Sequence, residues 1–91
     1  MSKVEFDPSK RKETLEVRGL DMAEAADVFA GPHLTFEDDR RDYGERRFLT
    51  VGFMAGRMVL IAWTPRGARR RIISMRKTNE REQAICGPLL G

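Results

Sequence analysis

Two groups of side chains in this 91-residue chain carry charge in patterns suited to phosphate. The first is the run Arg69-Arg70-Arg71, closed by Arg76-Lys77, with Ile72, Ile73, Ser74 and Met75 between. Guanidinium groups are planar, permanently charged and matched to phosphate oxygens. Strict alternation places Arg69, Arg71, Ile73 and Met75 on one face of a strand and Arg70, Ile72, Ser74 and Arg76 on the other. The second group is Arg40, Asp42, Tyr43, Gly44, Glu45 and Arg47, which gathers acid, base, phenol and a flexible glycine in one loop. RNA brings its own nucleophile, the 2′-OH. Its cleavage therefore needs a proton acceptor, a proton donor and positive charge on the developing phosphorane. Glu, Lys, Arg and Tyr can fill these roles without a metal. Read without that chemistry, the same groups are a solvated strand and a salt-bridged loop.

Other chemistries are poorly supplied. The single histidine, His33, follows Gly31-Pro32 and would have to serve alone in any Ser/His/Asp or Cys/His site. Metal-ligand spacings are absent, and neither a metal nor another cofactor is expected. Gly52 and Gly56 read as strand and turn glycines, not as a phosphate loop. Cys86 has no second cysteine to pair with, which fits a reducing compartment. The opening residues lack the apolar stretch of a secretory signal, and the longest apolar run, Met58–Trp63, is six residues. A cytoplasmic protein without membrane association is expected.

The net charge of +3 hides an uneven distribution. Residues 1–20 sum to +1, residues 21–45 to −6, and residues 46–91 to +8. A basic half of this kind suits a polyanionic partner such as nucleic acid.

The elements that must position these groups follow from periodicity and caps. Val4 and Phe6 around Glu5 suggest a short strand. Asp7-Pro8 opens a helix from Pro8 to about Val17, with Gly19 as its stop and Lys10, Arg11 and Lys12 on its polar face. Asp21, with Glu24 three residues on, caps a second helix over Met22–Ala30. Leu34–Phe36 is a strand, Glu37–Asp42 a polar loop, and Arg46–Ala55, Arg57–Thr64 and Arg69–Arg76 an antiparallel meander joined by glycine-containing turns. Met58–Trp63 is apolar throughout and belongs at the sheet centre, covered on both faces. Trp63 therefore reads as core before it reads as a base-stacking ring. A last helix spans Lys77–Ile85, capped by Thr78 or Asn79, and Cys86–Gly91 is a tail. The expected fold is one α+β domain over residues 1–91. It has a small antiparallel β-sheet of four to five strands, an N-terminal two-helix hairpin and a C-terminal helix.

With these elements in place, the chain resembles BrnT-type toxins. The resemblance rests on Asp7-Pro8-Ser9-Lys10, Gly19 and Ala25-Ala26-Asp27-Val28-Phe29. It continues through Asp38-Asp39-Arg40 and Asp42-Tyr43-Gly44-Glu45-Arg46-Arg47-Phe48, and ends on Arg71-Ile72-Ile73-Ser74-Met75-Arg76-Lys77. It spans roughly residues 4–82. It implies a RelE-like ribonuclease fold and the toxin of a type II toxin–antitoxin system, cleaving RNA and arresting translation and growth. It further implies a BrnA-type antitoxin with a ribbon-helix-helix part, through which the complex reaches operator DNA. Carried over by position, Glu45, Arg47, Arg71 and Arg76 are candidate catalytic residues, and Lys10, Arg18, Ser74 and Lys77 candidate RNA-binding residues. The family pattern has Lys-His-Gly where this chain has Val17-Arg18-Gly19. Arg18 cannot act as a base, although it can hold phosphate. The alternative is a catalytically weak or inactive toxin-like module that acts by binding its antitoxin and, through it, operator DNA.

Overall fold

The computed structural model describes residues 3–90; Met1, Ser2 and Gly91 lie outside them. The elements are β1 (Lys3–Glu5), α1 (Pro8–Arg18), a 3₁₀ turn (Met22–Glu24), α2 (Ala25–Ala30), β2 (His33–Glu37), β3 (Phe48–Met54), β4 (Arg57–Arg66), β5 (Arg69–Lys77) and α3 (Glu80–Leu90). The fold is α+β, as expected.

The first helix starts and stops on the signals in the sequence. Asp7 caps α1 by accepting from the Ser9 N–H at 2.8 Å. Gly19 closes it at φ 69°, donating its N–H to the Leu15 carbonyl. The second helix is not one piece. Asp21 accepts from the Ala23 N–H through its side chain, and its carbonyl accepts from the Glu24 N–H three residues on. That spacing tightens Met22–Glu24 into a 3₁₀ turn before α2 begins. Arg11 reaches from α1 to grip the same Asp21 carboxylate at 2.7 and 2.9 Å.

The sheet has five strands in the order β1-β5-β4-β3-β2. β2 to β5 are antiparallel, but β1 lies parallel to β5, with Lys3 opposite Arg69 and Glu5 opposite Arg71. The sheet is thus mixed, not purely antiparallel. After β1 the chain passes through α1 and α2 to the far edge and meanders back, so β5 arrives beside β1 running the same way.

β4 is the central strand, and its apolar run is covered on both sides. Val59, Ile61 and Trp63 pack with Leu20, Met22, Ala25, Val28, Phe29, Ile72 and Met75 under the first two helices. Leu60 and Met58 face a second cluster with Val51, Leu34, Cys86 and Leu90. Cys86 and Leu90 are the apolar stripe of α3, which revises the expected C-terminus. β5 runs on through Lys77, the helix starts at Glu80 and not at Lys77, and residues 86–90 are helix and not tail. Asn79 is the cap. Its side chain accepts from the Glu82 N–H at 2.8 Å while Glu82 accepts from the Asn79 N–H at 2.9 Å, a reciprocal capping box. Thr78 instead bonds the Met58 carbonyl. Gly87-Pro88 reads locally as a breaker, but burial of Cys86 and Leu90 carries the helix past it.

Candidate functional site

A β-bulge in β5 decides which of its candidate residues share a face. Trp63 is paired with Ile72 and Ala62 with Ser74, leaving Ile73 as an extra residue. Strict alternation is broken there. Ile72 and Met75 both point into the core beneath α1 and α2, which places Arg71, Ser74 and Arg76 together on the opposite face. The bulge therefore unites Arg71 with two side chains from which a regular strand would have separated it.

Cross-strand partners share a face, so this second face can be read in rows. The row under α3 is Arg76, Leu60, Val51 and Leu34; the next is Ser74, Ala62, Leu49 and Phe36; the next holds Arg71 and Thr64. Arg47 precedes β3 and by alternation joins the Leu49 side, while Glu5 lies opposite Arg71. Because α3 stands on the first row and leaves Ser74 and Phe36 of the second exposed, the sheet beside the helix is a shallow groove.

That loop is organised by Asp38, whose side chain is only 4 % exposed. Its carboxylate accepts from Arg40 Nε at 2.7 Å, Arg40 Nη2 at 2.9 Å and the Tyr43 hydroxyl at 3.1 Å. Its backbone N–H donates to the Arg47 carbonyl at 2.8 Å, extending the β2–β3 ladder by one step. The Arg40 guanidinium, foremost, holds the Asp38 carboxyl down at about 2. Arg47 lies over the Tyr43 ring, its guanidinium carbon 4.1 Å from the centroid. One buried carboxylate thus sets Arg40 and Tyr43, and Tyr43 in turn seats Arg47.

The other candidates are distributed as follows. Arg71 is half-buried and approaches Glu5 at 4.0 Å. Arg76 is held in a bidentate pair with Glu82 of α3, at 2.8 and 2.7 Å. The hydrogen bonds from Arg76, reinforced by the Asn79 N–H, lower the Glu82 carboxyl to about 2. Arg40 is near enough to Arg76 for their like charges to interact. Glu45 lies between Arg47 and Arg66, 3.4 Å from each, and lines a depression of ≈ 390 Å³ with Arg46, Thr64 and Pro65.

Lys10 and Arg18 stand on α1 and line a cleft of ≈ 190 Å³ against Ile73 and Ser74. Ser74 lines that cleft and is also the β5 member of the second row. Arg18 has a structural duty as well, since its Nη1 donates to the Met75 carbonyl at 2.8 Å.

Lys77 is not brought to the groove. It is opposite Val59, on the other face, and lines a separate depression with Arg57 and Phe53. Trp63 is core, its indole N–H donating to Thr50 Oγ1 at 2.8 Å and its ring stacked on Phe48. His33 uses Nδ1 on the Gly31 carbonyl. Arg70, which strict alternation puts beside Ser74 and Arg76, instead faces the core. It lies over the Phe29 ring at 4.2 Å and the Trp63 ring at 5.1 Å, and its Nε is buried without a hydrogen-bond partner. Asp38 was missed as an organiser; its signal is the Asp38-x-Arg40 spacing just before the Tyr43–Arg47 segment.

In this α+β fold Arg47, Arg71 and Arg76 share one face of the sheet, with Glu45 beside Arg47, Glu5 near Arg71 and Glu82 on Arg76. The family described as ribonuclease toxin, BrnT, of type II toxin–antitoxin system matches residues 6–82, and this chain belongs to it. Membership implies an antitoxin as partner. A comparison with curated proteins gave no match. Among the described residues no helix is long and apolar enough to cross a membrane.

Proposed function

We propose that this chain is an endoribonuclease toxin that cleaves RNA without a metal in the groove formed by β5, β3 and the 38–47 loop. The observation that carries this reading is the bulge at Ile73, which sets Arg71, Ser74 and Arg76 on the face that Arg47 also joins. In the proposed reaction the RNA 2′-oxygen attacks the adjacent phosphorus and loses its proton to a base. The bond to the 5′-oxygen breaks, and that oxygen takes up a proton. The products are a 2′,3′-cyclic phosphate and a 5′-hydroxyl. Arg71 and Arg47 hold the phosphate and stabilise the charge of the phosphorane. Glu45, beside Arg47, is the proton-transfer group. Arg76, fixed by Glu82, and Ser74 position the flanking backbone, and Lys10 and Arg18 extend the track along the α1 cleft. The fold is RelE-like in this reading, cleavage inhibits translation and growth, and a BrnA-type ribbon-helix-helix antitoxin neutralises the toxin and connects it to operator DNA.

The experiment is cleavage of an RNA oligonucleotide by purified protein in EDTA. Wild type is expected to yield cyclic-phosphate ends, and Arg71→Ala to lose about 10² or more in rate, the scale of losing one transition-state contact. Cleavage that stops in EDTA, or an Arg71→Ala protein as active as wild type, overturns the assignment.

One observation favours a second reading, a weak or inactive binding module. Arg18 stands where the resemblance implies a histidine, a guanidinium supplies no base, and it is tied to the Met75 carbonyl. Arg18→His separates the two. A large gain in rate supports the weak-toxin reading, no cleavage by either protein supports the inactive module, and an unchanged, measurable rate leaves Glu45 as the base.

A further inference from the structure

The helix α3 carries an apolar ledge that the cleavage reading does not use. Cys86 and Leu90 face the sheet. Gln83 bonds the Thr78 carbonyl and Gly87 lies against Met58, so that flank of α3 looks toward the β3–β4 hairpin. Glu82 holds Arg76 on the other flank. At 100° per residue Ile85 and Leu89 fall on Glu82's side, the side that borders the groove. They remain 60 % and 68 % exposed, and Phe36 in the groove floor is 46 % exposed. An aliphatic pair at i, i+4 is the spacing against which another helix packs.

We propose that this ledge is the docking site of the antitoxin, and that the docking segment is an acidic amphipathic helix. Its apolar stripe covers Ile85, Leu89 and Phe36, and its carboxylates reach Arg71, whose own carboxylate neighbour, Glu5, is 4.0 Å away. The proposal rests on the antitoxin partnership that family membership implies, not on the cleavage mechanism. Two other occupants fit less well. A second copy of the chain would bring its own arginine groove against this one, a like-charge contact. RNA bases stack on aromatic or guanidinium planes, and Ile85 and Leu89 offer neither. An acidic helix satisfies both halves of the surface at once, and by lying in the groove it blocks the proposed RNA site.

The test is an Ile85→Asp/Leu89→Asp double variant, with Ile85→Ser/Leu89→Ser as a milder partner. Both positions are exposed, so circular dichroism and Tm should match wild type. The probe is the protein encoded by the reading frame adjacent to this chain's gene, titrated by calorimetry. The expected result is at least a 100-fold loss of affinity for the Asp pair and a smaller loss for the Ser pair, with RNA binding and cleavage by the Ser pair, which adds no charge beside the groove, within twofold of wild type. Unchanged affinity overturns the proposal. So does lost RNA cleavage with antitoxin binding intact, which assigns the ledge to RNA. A wild-type dimer in sedimentation that the Asp pair dissociates, with antitoxin affinity unchanged, assigns it to a second copy. Because affinity is read directly, an inactive wild-type enzyme would sink the cleavage reading and leave this test valid.

Discussion

At the level of single residues, the groove depends on a carboxylate that touches no substrate in the proposed mechanism. Asp38 holds Arg40 and Tyr43, and Tyr43 seats Arg47. Asp38→Asn removes the charge while keeping the shape. Amide hydrogen exchange in residues 38–47 is expected to rise at least tenfold, and RNA cleavage to fall by a similar factor. The acid dependence has a definite sign. The folded carboxyl titrates at about 2, below its ordinary value near 4, so the stabilisation is complete above about pH 4 and is lost as pH falls toward 2. Protection of this loop, corrected for intrinsic exchange, should therefore hold from pH 7 to about 4 and vanish near 2. In Asp38→Asn that acid step should be missing, and a wild-type loop indifferent to acid would contradict the clamp. Arg47, Arg71 and Arg76 could be nominated in the sequence from permanent charge and strand pattern, and Ser74 from its place in the Arg71–Lys77 segment that resembles the family; that Arg71 shares a face with Ser74 and Arg76 could not. Asp38 could not be nominated either, because its importance comes from burial, and one aspartate among Asp38, Asp39 and Asp42 has no local mark of burial.

Between elements, the closest tolerance is where α2 crosses β3. A Cβ added at Gly52 would lie 2.6 Å from Val28 Cγ1, 3.2 Å from His33 Cβ and 3.3 Å from the Pro32 carbonyl. Gly52→Ala must push α2 off the sheet, at a cost of about 1–3 kcal/mol. The measurement is thermal unfolding, where each kcal/mol lowers Tm by about 4–8 °C in a domain of this size. A Tm within a degree of wild type would show that α2 yields freely. Order and type of the elements were readable from caps and periods, as at Asp7-Pro8 and Gly19. The bulge was not, because Ile72 and Ile73 are identical side chains and either could face the core. Only pairing with Trp63 and Ala62 decides between them. The last turns of α3 were hidden for the opposite reason, since Gly87-Pro88 is a strong local stop overruled by contacts distant in sequence.

For the molecule as a whole, the uneven charge becomes a geometric fact. The sheet residues gather Arg47, Arg71 and Arg76 on one face, while Lys77 and Arg57 lie at another depression. Three to four phosphate contacts to single-stranded RNA correspond to a slope of log affinity against log salt of about −2 to −3. Arg71→Ala should flatten that slope by about 0.7, and Lys77→Ala should leave it unchanged. Equal effects of the two substitutions would mean that binding is diffuse and not confined to the groove. The parallel pairing of β1 with β5 has a further consequence for synthesis. Lys3 waits for Arg69, and the sheet closes through contacts between residues far apart in the chain, the kind that form slowly. β5 also carries Arg71, Ser74 and Arg76, so a chain still lacking that strand has neither a finished sheet nor a groove. On the proposed reading, the growing polypeptide therefore gains its RNA site only near the end of its synthesis.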